Sequence, residues 1–180
     1  MKKVLFVIGS LRKQSFNRQI SDYVRELLNG KVEVEGLDYA SLPLLNQDIE
    51  FPVPEVLARV RQEVLDADAI WVFSPEYNYS YPAVVKNLVD WLSRPMTADR
   101  DSATAIRGKK VVLTGIGGRN QTKDCREKLT ALLDFIGAKV MPCQVGLAVN
   151  AEAWASNVVI LTDQQRAQLQ EQVDEALKFI

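Results

Sequence analysis

The chain has 180 residues, 47% of them hydrophobic, which fits one domain with a sizeable core. Its 22 basic and 23 acidic residues leave a formal net charge of −1, so a global nucleic-acid footprint is excluded. No histidine occurs anywhere, which removes Ser-His-Asp and Cys-His nucleophilic triads and histidine-rich metal sites.

Other features narrow the class further. With no catalytic side chain and no metal site in view, hard chemistry would have to come from a cofactor. Cys125 and Cys143 lack CxxC spacing and read as free thiols. The apolar run at residues 4–8 follows Lys2 and Lys3, but it is too short to span a membrane. Arg12 and Lys13 then end it before a signal-peptide core forms. A cytoplasmic protein without membrane insertion is the expectation.

The chain alternates between two periodicities. Residues 2–8 (KKVLFVI) form a continuous apolar strand of the kind buried on both faces. Residues 15–29 have helical spacing, with Phe16, Ile20, Val24, Leu27 and Leu28 on one face. Ser15 is the candidate N-cap and Gly30 the stop. Residues 31–37 alternate as a second, less buried strand. A helix over 54–66 places Pro54 in its first turn. Residues 69–74 are the third strand. A helix over 83–94 begins after Pro82 and is apolar around most of its circumference, enough to cover both the sheet and a second subunit. Residues 108–115 are the fourth strand, 124–136 a helix ended by Gly137, and 138–142 the fifth strand. A terminal helix spans 163–179, with Asp163 as candidate cap.

Strands alternating with helices imply a parallel sheet covered on both faces. Five of each in a single domain (residues 1–180) predict a flavodoxin-like doubly wound sheet of order 2-1-3-4-5. The unusual loops then share one edge. GSLRKQSFN (9–17), SPEYNYSYP (74–82) and GIGGRNQT (115–122) all leave the carboxyl ends of strands, where open α/β sheets bind ligands.

The first loop offers Ser10, Ser15, Asn17 and a helix N-terminus, in a stretch with five basic residues and no acid before Asp22. It is either a phosphate cradle or a capped strand-to-helix turn. Neither a Walker A loop nor a dinucleotide fingerprint is present, which favours one phosphate over a pyrophosphate. The second loop holds Tyr77, Tyr79 and Tyr81 between Pro75 and Pro82. Those rings are either a ligand platform or cover for core or interface. The third loop, with Gly115, Gly117 and Gly118, either lets backbone approach a ligand or merely needs positive φ.

GSLRKQSFNR, SPEYNYSYPAVVKNLVDWLSRP and GGRNQTKDCREKL, in that order, resemble the NADPH-dependent FMN reductase family, and within it the bacterial quinone and chromate reductases. The resemblance runs from the first strand to about Gly137 and is weaker beyond. It implies non-covalent FMN. Ser10, Arg12, Ser15, Phe16 and Asn17 would hold the phosphate and ribityl chain. Pro75, Glu76, Tyr77 and Asn78 would line the isoalloxazine edge, and Gly115 and Gly117 would close the other side. The third loop departs from relatives that carry a longer, serine-containing segment there.

The resemblance also implies a ping-pong oxidoreductase. NADPH or NADH passes a hydride to flavin N5, and a small acceptor such as a quinone or chromate then takes its place. A homodimer is expected, with a tetramer as the larger alternative. Two other classes stay open: a flavodoxin-type electron carrier without NAD(P)H turnover, and a non-enzymatic binding protein on the same fold.

Overall fold

The computed structural model describes residues 1–180. The strands are β1 (Lys3–Ile8), β2 (Glu33–Gly36), β3 (Ala69–Phe73), β4 (Lys110–Gly117), β5 (Lys139–Val140) and β6 (Val145–Ala148). The helices are α1 (Phe16–Leu28), α2 (Glu55–Asp66), α3 (Ala83–Leu92), α4 (Lys123–Phe135), α5 (Ala153–Ser156) and α6 (Asp163–Phe179). All strand pairs are parallel, in the order β2-β1-β3-β4-β5, with β6 also on β4. This is the flavodoxin-like topology.

The strands are apolar because both faces are covered. Leu5, Val7, Ile70, Val72, Val111 and Leu113 point to one side, against Val60, Val64, Leu88 and Leu129. Their neighbours Val4, Phe6, Trp71, Phe73 and Val112 point to the other, against Ile20, Val24, Leu169 and Val173. The period of two distributes one continuous apolar run between two cores.

The fifth strand departs from expectation. It pairs only at Lys139 and Val140, and the chain rejoins β4 from Val145 to Ala148. Pro142 lies between the two pieces and has no N–H to offer the ladder. Helix ends differ by a residue or so. Thr162, not Asp163, caps α6, and forms a reciprocal capping box with Gln165. Pro54 is the N-cap of α2 rather than its first helical residue. Gly137 ends α4 at φ 86°, with the Ala138 N–H donating back to Leu133 O at 2.9 Å.

The apolar surplus of α3 is met within the chain. Trp91 is fully buried, and its indole N–H donates to Pro43 O at 2.8 Å. Asn87 clasps the same stretch, donating to Pro43 O and accepting from the Leu45 N–H. Arg94, just past the end of α3, makes a bidentate pair with Glu50 of the same segment, both distances 2.9 Å. The segment after β2 therefore lies across α3, where a second subunit was expected.

Candidate functional site

Strand register builds the site. Ile8, Phe73 and Thr114 stand level across β1, β3 and β4, so the loops that follow start from one edge. β4 runs on to Gly117, supported by β6. Between the loops lies a cleft of about 380 Å³. Its wall includes Ser10, Arg12, Ser15, Phe16 and Asn17 from the first loop, and Pro75, Glu76 and Tyr77 from the second. The far side adds Ile116, Gly117, Gly118, Trp154 and Asn157.

The floor at α1 is prepared for an anion. Ser15 caps the helix by position only, since its side chain makes no capping hydrogen bond. The N–H groups of Phe16, Asn17 and Arg18 have no acceptor, and the first turn carries no acid. Free donors at a helix's positive end attract negative charge. Arg12 adds a full positive charge, its Cζ 4.9 Å from the centre of the Phe16 ring. Glu76 is the only acid in the wall, and its carboxylate is occupied elsewhere. It accepts from Asn120 Nδ2 at 2.8 Å and from the Cys125 N–H at 2.9 Å, capping α4. No carboxylate faces the anion position, so a phosphate fits.

The expected site residues divide by role. Asn17 is buried and spent on structure: Nδ2 donates to Ile116 O at 3.0 Å, and Oδ1 accepts from Ile116 N at 3.1 Å. It locks α1 to β4 and leaves its backbone N–H for a ligand. Asn78 and Gly115 lie outside the cleft wall. Gly115 sits inside β4 for packing, because a Cβ there would come within 2.2 Å of Thr122 Oγ1 and 2.6 Å of Ser74 O. Gly118 has open space around such a Cβ and leaves room at the cleft.

The second loop is a tight hairpin. Tyr77 and Ser80 exchange backbone hydrogen bonds, with Asn78 and Tyr79 both left-handed at φ 51° and 57°. That is the type I′ pattern. It presents Tyr77 at the cleft, half-exposed, and turns Tyr79 to solvent. Tyr81 packs on the core instead. Cys125 is buried beneath this loop with Sγ 3.3 Å from Ser74 Oγ. Burial pushes its thiol up to about 11, so it is no nucleophile at neutral pH.

Trp154 and Asn157 were not among the sequence-derived site residues. Their only sequence signal is one tryptophan among the small and polar residues of 150–157. The fold brings them back because β6 carries the chain to the same edge as β4.

Residues 2–152 match the family described as NADPH-dependent FMN reductase. The chain is 41% identical over 93 residues to a 2-hydroxy-1,4-benzoquinone reductase from Burkholderia sp, covering 52% of this chain and 51% of that protein. It is 40% identical over 128 residues to an NADPH:quinone oxidoreductase from Arabidopsis thaliana, covering 66% and 62%. The matched stretch thus spans between half and two thirds of each of these relatives. A solved flavoenzyme, an NAD(P)H:(acceptor) oxidoreductase from Paracoccus denitrificans, superposes with a TM-score of 0.86 at 28% identity, covering 99% of this chain and 96% of that one.

Proposed function

The chain belongs to the NADPH-dependent FMN reductase family, and from that premise we propose that it is an FMN-dependent NAD(P)H:quinone oxidoreductase. One observation carries the reading: unpartnered helix N–H groups and Arg12 at one end of a cleft whose other walls are Tyr77 and glycine backbone. The names of its relatives, quinone reductase among them, support the choice of acceptor.

The free N–H groups of Phe16 to Arg18, the Ser10 and Ser15 hydroxyls and Arg12 would hold the FMN phosphate. Pro75, Tyr77 and the backbone at Gly117 and Gly118 would flank the ring. When bound there, FMN would supply the hydride-transfer chemistry between NAD(P)H and an acceptor. The protein's part is to bind and orient. Its hairpin keeps Tyr77 at the mouth, where a flat ring can stack and exclude water. Glu76, held by α4, keeps its charge away from the cleft. No side chain of the wall has to move a proton, in keeping with the lack of histidine.

Two free cysteines fit a reducing compartment and support a cytoplasmic location. The assembly we propose is a homodimer. Leu44, Ile49 and Phe51, exposed on the segment that crosses α3, supply apolar surface for it. No helix is long and apolar enough to cross a membrane.

The test is direct. Purified protein should be yellow, release FMN on denaturation, and oxidise NADPH or NADH when a quinone is supplied. Yellow protein inert to both nicotinamides would make it an electron carrier. Colourless protein that takes up no added FMN would end the reading. Rates over quinones, chromate, azo dyes and free flavin then rank the acceptors.

A further inference from the structure

The segment just past the family match, residues 153–159, folds back onto the anion end of the cleft. Asn157 ends α5 at φ 60°, a left-handed conformation that asparagine tolerates. Its Oδ1 accepts from Arg12 Nη1. Its backbone O accepts from Gln19 Nε2 at 2.7 Å, and the Val159 N–H donates to Gln19 Oε1 at 2.9 Å. Gln19 therefore stitches the segment to α1 at Asn157 and at Val159. Trp154 meets the Phe16 ring edge-on, centroids 5.4 Å apart at 81°. The Phe16 ring also carries the Arg12 guanidinium, its Cζ 4.9 Å from the centroid.

Arg12 is an exposed side chain with no carboxylate within ion-pair distance. Left alone it would sample many rotamers. Here a neutral amide and a ring fix it and leave its charge unspent. We infer that Asn157 is a positioning residue for the flavin phosphate: it holds Arg12 over the open N-terminus of α1, and Trp154 closes that end of the cleft. The inference rests on the cleft being the FMN site.

FMN and riboflavin differ only by the phosphate, so paired titrations of flavin-stripped protein isolate the effect. Asn157→Gly keeps the left-handed backbone and removes the amide. Asn157→Asp keeps the shape and places a carboxylate on Arg12. FMN affinity should fall about fivefold in the first and tenfold or more in the second, with riboflavin affinity unchanged. Unchanged FMN affinity, or equal loss for both flavins, overturns the inference while leaving the cofactor assignment intact. Wild-type protein that binds neither flavin overturns both. If Asn157→Asp fails to fold by circular dichroism, Asn157→Gly carries the comparison. Trp154 has its own readout, because Trp71 and Trp91 are fully buried and acrylamide reaches only Trp154. FMN should shield it from quenching, and undiminished quenching overturns its part.

Discussion

At the scale of single residues, charge placement decides most of what this chain can do. Arg12 carries a positive charge that no acid neutralises, beside helix donors that nothing accepts from. Arg12→Glu sets a carboxylate at that point, and FMN affinity should drop by about a hundredfold or more, read by fluorescence titration. Undiminished affinity would remove the phosphate from this loop. Arg94 shows the opposite use of charge. Its two hydrogen bonds hold the buried Glu50 carboxyl below the usual glutamate range. A lowered native pKa means stability that is present at neutral pH and is lost as pH falls through that native value. Arg94→Ala should cost about 1–2 kcal/mol at pH 7, moderated because Arg94 is 31% exposed to screening solvent. The penalty should shrink in urea titrations as pH is lowered through the native pKa of Glu50, because protonation removes the charge that Arg94 pairs with. A pH-independent penalty would show that lost packing, not the pair, is responsible.

At the scale of elements, the hairpin after β3 joins local strain to position. Tyr79 sits at φ 57°, where an aromatic side chain is held against its preference. Type I′ turns favour glycine at this second central position. Tyr79→Gly should therefore raise unfolding free energy by about 1 kcal/mol. If the exposed ring also guides acceptors, the same change should raise the quinone KM with little effect on FMN affinity. A loss of stability would show that the Tyr79 ring makes contacts worth more than the strain. This hairpin was legible as a turn with rings between prolines. Its division of labour was not: Tyr77 at the cleft, Tyr79 in solvent and Tyr81 on the core follow from the handedness of two backbone positions. Glu76 likewise read only as a flavin-edge residue, and its carboxylate proves to cap α4, a helix that starts 47 residues later.

At the scale of the whole molecule, the parallel sheet makes the site by bringing strand ends level. The interface expectation changed its ground here. The apolar circumference of α3 looked like room for a second subunit, but Pro43 and its neighbours occupy it. The homodimer now leans on Leu44, Ile49 and Phe51 of that covering segment. Light scattering at micromolar concentration should give twice the 20.2 kDa chain mass. Leu44→Glu, at a position 79% exposed, should shift it toward monomer without loss of helical signal. A wild-type monomer would end the dimer proposal.

The sequence by itself determined the strand and helix alternation, the sheet order and the loops at its edge, because periodicity and turn residues are local signals. It also named Ser10, Arg12, Ser15, Phe16, Pro75 and Tyr77, which do meet at one cleft. Only the tertiary structure decided that Asn17 locks β4, that Gly115 serves packing, and that Trp154 and Asn157 line the same cleft. Those outcomes depend on pairs far apart in the chain, such as Arg12 with Asn157. No local pattern encodes such a pair, because it exists only after Pro142 breaks the fifth strand and β6 rejoins β4 to return the chain to the cleft.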